Sequence, residues 1–401
     1  MSAATLTRRL SPAGAERPVL AGWGAVVLAL LAFWLALPPL LVRTPVPSLV
    51  LAAAAVGLGV WALREGQTRL GWSAAVTGVL CAIGAIAATK SGEGNLDRVV
   101  IWSSLAAAML RFATPLVFAA LGGVISERSG VVNIGLEGMM LTGAFFAIYG
   151  ADVTGGWVGG LLVGMIAGGV LALVHAFFAI SLRADQIVCG FAINFLALGT
   201  TGYVFLQHYG SNGTPGDAPQ VPDVSLPIDW IPFFGPALDK LNLLVWVALV
   251  LVFVVWLFVF RTPAGLRLRS VGENPRAAAT VGISVYKVRY LAVIASGVLA
   301  AMGGAFLSIG FVHTFNQNMT AGRGFIALAV VIVGKWRPVA ALAAALMFGF
   351  SQALAQRLPV FSDSSATLLQ ALPYVVTLIA VAGLVGRSTP PAADGVPYAK
   401  E

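Results

Sequence analysis

Charge is what this sequence has least of. Asp, Glu, Lys and Arg make up 10% of its 401 residues, against about 25% in an ordinary soluble domain. Hydrophobic residues make up 59%, and mean hydropathy is +0.91. With so few charges, a fold of this size cannot cover its own surface in water, so lipid must be the solvent for most of it. Cysteine is scarce as well. Cys81 and Cys189 lie inside apolar runs with no CxxC or Cys/His spacing, which argues against a metal site and says nothing of redox compartment. The three histidines (His175, His208 and His313) are far apart, so neither a metal cluster nor a Ser/His/Asp arrangement is indicated. No GxxxxGKS/T phosphate loop occurs, so any nucleotide hydrolysis must come from another chain.

The net charge of +8 does not point to nucleic acid. The basic residues sit at the ends of apolar runs, where they orient helices in a bilayer, and form no water-facing stripe for phosphates. Arg8 and Arg9 precede an apolar stretch from about Val19 to Val42. That stretch exceeds the roughly 7–15 residues of a signal-peptide core and lacks a small-x-small cleavage site, so it reads as a retained first transmembrane helix.

About 20 apolar residues span a bilayer as a helix, because lipid offers bare backbone groups no partners. That length predicts an all-α, polytopic transmembrane helical bundle with at most twelve segments: 20–42, 46–63, 70–89, 99–125, 131–150, 156–181, 186–207, 241–260, 290–312, 322–334, 338–357 and 367–386. The segment 322–334 is short and reads as a half-helix or re-entrant element, so ten or eleven spans also fit. GLEGMMLTGAFFA (Gly135 to Ala147) and GRGFIALAVVIVG (Gly322 to Gly334) share a texture that raises an inverted internal repeat, on this one weak signal.

Between Arg261 and Arg289 lie Arg261, Arg267, Arg269, Arg276, Lys287 and Arg289, opposed by Glu273 alone, which predicts a cytoplasmic loop. The preceding connection carries Asp217, Asp223, Asp229 and Asp239 against Lys240 and is expected outside. Counting from this pair puts both termini in the cytoplasm of a plasma or inner membrane. Residues 1–98 read as an extension of about three helices, 99–386 as the core with a cytoplasmic loop at 261–289, and 387–401 as a cytoplasmic tail.

Three places hold candidate functional residues. The run Gly122 to Phe145 puts Glu127, Arg128, Asn133 and Glu137 within an apolar region, where a charge at mid-membrane costs roughly 2.5–3.5 kcal/mol on insertion scales. Glu127 and Arg128 are expected in a cytoplasmic loop. Asn133 and Glu137, four apart, point to one side of a helix, and either pack between helices or line a substrate path. In Val271 to Tyr290, Asn274-Pro275 suits a helix start and Gly282 an end. Such a short surface helix is either a docking element or an ordinary loop helix. In Gln186 to Tyr203, Phe191 and Phe195 share a face and Asn194 lies beside them, which fits either helix packing or contact with a planar base.

These segments resemble the permeases of ATP-binding-cassette importers for nucleosides, in the larger group that also serves simple sugars and branched-chain amino acids. The resemblance rests on LRFATPLVFAALGGVISERSGVVNIGLEGMMLTGAF, QIVCGFAINFLALG, GENPRAAATVGI and GRGFIALAVVIVGKWRP, and covers about residues 105–386. It implies a transport subunit that is not itself an enzyme and has no cofactor of its own, ATP and Mg being held by a separate ATPase chain. It also implies a paralogous permease partner and an extracytoplasmic substrate-binding lipoprotein. By resemblance Gly272, Glu273, Asn274, Arg276, Ala277, Ala278 and Gly282 form the ATPase-coupling segment. Asn133, Glu137, Phe191 and Asn194 are the candidates for the pathway. A permease for sugars or branched-chain amino acids is the alternative. An ion-coupled secondary transporter would need more membrane carboxylates than Glu137 and would leave Gly272 to Gly282 unexplained.

Overall fold

A computed structural model describes residues 12–36, 40, 42, 44–90, 101–210, 213–214, 219–228, 230–231, 233–357 and 388–399. The expected segment at 367–386 and the Arg8/Arg9 pair lie outside the described residues. Apart from one two-residue strand pair, the regular structure described is helical. Seven helices among the described residues are long and apolar enough to cross a membrane, and the chain is a multi-pass membrane protein.

The described residues fall into two compact units. The first, Met1–Leu105 with Ser351–Arg387, contains α1 (Pro12–Trp34), α2 (Val46–Arg64) and α3 (Thr68–Lys90), which pack on one another. Small residues such as Ala25, Ala55 and Ala74 are fully buried. Large ones such as Leu20, Val50, Trp72 and Ile83 point outward, the distribution expected where lipid is the solvent. The first helix ends at Trp34 and not near residue 42. Pro38 and Pro39 follow, and a proline biases the residue before it away from helix.

The second unit comprises Ala106–Phe350 with Ser388–Glu401. Its helices are α4 (Trp102–Arg128, begun in the first unit), α5 (Leu136–Thr154), α6 (Trp157–Ala176) and α7 (Gln186–Tyr209). After β1 (Asp223–Val224), α8 (Phe234–Leu238) and β2 (Leu241–Asn242) come α9 (Leu243–Arg261), α10 (Pro263–Glu273), α11 (Pro275–Thr280), α12 (Val285–Ala305), α13 (Arg323–Val333) and α14 (Pro338–Arg357, its last residues from Ser351 in the first unit). Both α6 and α12 continue into π-helical turns, at Phe177–Ser181 and Phe306–Val312. Helices α5, α6 and α12 form the centre of the unit, where Ala144, Ala147, Ala172, Ala300 and Ala305 are fully buried. Residues of this size let helix backbones approach closely, which is where packing energy between membrane helices comes from. The strands pair antiparallel, Asp223 opposite Asn242. Asn242 caps α9 by accepting from Leu244 N (3.0 Å) and donates to Val221 O and Gly310 O.

The segment expected at 322–334 is indeed short, an 11-residue helix α13 ended at Gly334. Glu127 and Arg128 lie in the last turn of α4 and not in a loop. Glu127 is buried and accepts a hydrogen bond from Trp336 Nε1, while Arg128 Nε donates to Trp336 O (3.1 Å). Trp336, on the turn before α14, thus holds this end of α4 through both its ring N–H and its carbonyl.

Candidate functional site

Between α4 and α5 the chain leaves the helix for residues 129–135. Non-helical backbone inside a membrane protein must find its hydrogen-bond partners within the protein. Here the first amides turn back on α4, and the rest of the break is held by side chains, most of them on other helices. Val132 N donates to Gln186 Oε1 of α7 (2.8 Å). Val132 O stands 3.3 Å from His175 Nε2 of α6, so that nitrogen must carry the proton. Ser126 Oγ donates to Val131 O (2.7 Å). Asn194 of α7 closes the α5 end of the break: its Nδ2 donates to Ile134 O (3.0 Å) and its Oδ1 accepts from Gly138 N (2.8 Å). Gly135, the N-cap of α5, has no side chain to cap with, so the Asn194 amide fills that role from a neighbouring helix.

Asn133 is fully buried and donates through Nδ2 to Ser296 Oγ of α12 (3.0 Å) and to Met139 Sδ (3.4 Å). Glu137, in the first turn of α5, is also buried. Its Oε1 accepts from Gly322 N (2.7 Å) and its Oε2 from Gly324 N (2.5 Å). These N–H groups lie at the start of α13, where they lack intrahelical partners and the helix dipole favours a negative charge. Gly324 is required there, because a Cβ would collide with the backbone of Glu137. The two stretches with a shared texture, at Gly135 and Gly322, therefore meet at their helix starts.

Of the four residues expected on a pathway, Asn133, Glu137 and Asn194 all hydrogen bond within this one unit. Phe191 is 45% exposed and pairs with Phe325 of α13, ring centroids 6.1 Å apart. Phe195 is 72% exposed. The outward face of α7, with Val188, Phe195 and Tyr203, is therefore apolar and aromatic, and lies beside the break.

The 261–289 connection folds as α10 and α11. Asn274 Oδ1 accepts from Ala277 N (3.0 Å), with Pro275 at the first helical position. At the other end Gly282 has φ +83°. Gly282 N donates to Ala279 O (3.0 Å) and Ile283 N to Ala278 O (3.1 Å), the paired bonds of a Schellman closure. Glu273, Asn274, Arg276, Ala277 and Gly282 are exposed. Gly272 and Ala278 face inward. Gly272 O accepts from Ala393 N (2.9 Å), and Ala278 sits in a cluster with Val271, Val285 and Tyr398.

Sequence reasoning missed Ser296 and the role of His175. A histidine in an apolar helix is a signal when the nearby backbone leaves the helix, but a serine on a distant helix gives none. Among the described residues no group of three His, Cys, Asp or Glu side chains could hold a metal ion.

The family described as branched-chain amino acid transport system / permease component matches residues 105–381. The guanosine ABC transporter permease protein NupQ of Bacillus subtilis is 43% identical over 321 residues, 76% of this chain and 99% of that protein. The nucleoside ABC transporter permease protein NupC of Lactococcus lactis is 39% identical over 74% of this chain and 96% of its own length. A putative glucose ABC transporter permease protein, TsgC13 of Haloferax volcanii, is 40% identical over 68% of this chain and 84% of its own. No solved structure matches this chain significantly.

Proposed function

Because this chain belongs to the family of branched-chain amino acid transport system permease components, we propose that it is the membrane-spanning subunit of an ATP-driven nucleoside importer. The observation that carries the substrate is the 43% identity that extends over 99% of a permease named for guanosine. The geometry agrees in kind. An aromatic pair, Phe191 and Phe325, stands on the open face beside a broken helix, and aromatic rings hold planar bases by stacking. In this reading Phe191 lines the pathway, while Asn194, Asn133 and Glu137 fix the broken wall behind it.

The exposed Glu273, Asn274, Arg276, Ala277 and Gly282 form the contact for a separate ATPase, which holds ATP and Mg. Gly272 and Ala278 hold that segment to the core. The basic 261–289 connection faces the cytoplasm together with both termini. The apolar face of α7 meets a second, paralogous permease, and a lipoprotein delivers the solute from outside. Binding and hydrolysis of ATP then shift the pair between two conformational states, with no covalent chemistry in this chain.

A second reading is favoured by the 40% identity to a permease named for glucose: the same machine with a sugar as its solute. The test is uptake of radiolabelled guanosine, adenosine, uridine and glucose into proteoliposomes holding this chain with its ATPase, second permease and capture protein. Nucleoside uptake that vanishes with an ATPase-dead partner is the expected result. ATP-dependent glucose uptake alone moves the assignment to sugars. Uptake that persists without ATP and collapses with the proton gradient overturns the ATP-driven mechanism.

A further inference from the structure

Residues 388–399 lie beyond the family match, which ends at 381, yet they are built into the second unit. Ala393 N donates to Gly272 O (2.9 Å), and Ala392 N to Glu273 Oε2 (3.3 Å). Tyr398 is buried with Val271, Ala278 and Val285, its ring 5.6 Å from that of Tyr286. One short segment therefore holds both the end of α10 and the inward face of α11.

The same segment also reaches the broken helix. Arg289 of α12 is 1% exposed and heads the largest fully buried side chains. Its Nη1 donates to Val396 O of the tail (3.0 Å), and its Nε to Ser129 O at the entry to the break (3.2 Å). Gly130 is packed against both Ala393 O and the Arg289 guanidinium, and Gly395 lies against Val132. No carboxylate hydrogen bonds to Arg289 among the described contacts. The Asp394 carboxylate of the tail stands near enough to stabilise its charge, and losing either the tail or the break strips this buried guanidinium of a hydrogen bond, which is costly.

We propose that residues 391–398 are an internal strap that transmits displacement of the α10–α11 segment to the broken helix, with Arg289 as the positioning residue that joins them. The proposal rests on the reading of α10–α11 as the ATPase contact. Helix α11 has six residues and is closed on itself by the Schellman turn. A rigid push on it passes to the transport site through whatever grips its inner face, and the strap grips Ala278 and Gly272 while touching Ser129, Gly130 and Val132 through Arg289, Ala393 and Gly395.

The test uses the full complex reconstituted in proteoliposomes, comparing the parent chain with deletion of 391–401, with Tyr398→Ala and with Arg289→Lys. ATPase co-purification, ATP hydrolysis and solute moved per ATP are measured together. The expected result is an assembled complex with hydrolysis largely retained and solute per ATP lower by about tenfold, within the usual range of coupling between distant sites. An unchanged solute-to-ATP ratio, or loss of both activities in proportion to complex recovered, overturns the strap. If the deletion fails to assemble, the two point variants decide by the same ratio. Ala277→Glu separates the underlying reading. If that complex keeps its ATPase, the docking assignment falls and the strap with it. If the ATPase is lost there and the tail variants keep the parental ratio, only the strap falls.

Discussion

Glu137 and Gly324 are in backbone contact: the carboxylate of one accepts the amide hydrogen of the other, and the missing Cβ of Gly324 is what allows the approach. A buried carboxylate in this chain thus serves as the cap of α13. Glu137→Ala strands the N–H groups of Gly322 and Gly324, the second of them buried, and a buried group left unpaired costs about 1–3 kcal/mol. Glu137→Gln keeps one acceptor oxygen and is expected to lose less. Thermal unfolding of the purified complex in detergent should rank parent above Gln above Ala, and a fully stable Ala variant would contradict the clamp.

Asn194 both donates and accepts, to Ile134 O and from Gly138 N. Asn194→Asp can accept but no longer donate, and Asn194→Leu can do neither. The Leu variant is expected to cost about 1–3 kcal/mol of stability and Asp an intermediate amount. Equal stability of Leu and Asp would mean that the amide is not what closes the break.

Gly282 occupies the left-handed region at φ +83°. Gly282→Ala there costs roughly 1 kcal/mol, while Asn tolerates the conformation better. Hydrogen–deuterium exchange over 275–283 should therefore speed up in the Ala variant and less in the Asn variant. Identical exchange in all three would show that the Schellman closure does not hold α11.

Burial lifts the Asp394 carboxyl from 3.8 to about 7, against the opposing pull of Arg289 and of the Gly395 N–H. It faces Arg289 and Glu127. Because the docked pKa is raised, the docked tail holds this proton more tightly than a free tail would. The contribution to docking is full below about pH 3.8, declines across the window up to about 7, and is gone above it. The tail should be released more readily at pH 8 than at pH 6, read as exchange of residues 388–399 after correction for intrinsic rates. Asp394→Asn should flatten that difference, and a difference that survives in Asn would assign the pH dependence elsewhere.

Much of this architecture is legible in the sequence, because hydrophobic run length reports directly on helices that must satisfy their own backbone. Asn274-Pro275 at the start of α11 and Gly282 after its end mark boundaries by local chemistry. The short reach of α13 is visible in Gly322 and Gly334. What stays hidden is who answers whom. Glu137 and Gly322 are 185 positions apart, and nothing near either names the other. Glu127 looks like a loop residue until Trp336, 209 positions on, is seen to hold it. The inward turn of Gly272 and Ala278 is equally unreadable, since among the groups they meet are Arg128 O and Tyr398, far away along the chain.

The break at 129–135 also governs the order in which the protein can be made. Its carbonyl and amide groups are satisfied by His175, Gln186 and Asn194, all synthesised after it. Until α6 and α7 have entered the bilayer, those groups have no partner that lipid can supply. The stretch joining α4 to α5 must then remain hydrated, or sheltered by the insertion machinery, while some sixty further residues emerge to bring Asn194, and Ser129 O waits longer still, for Arg289 on α12.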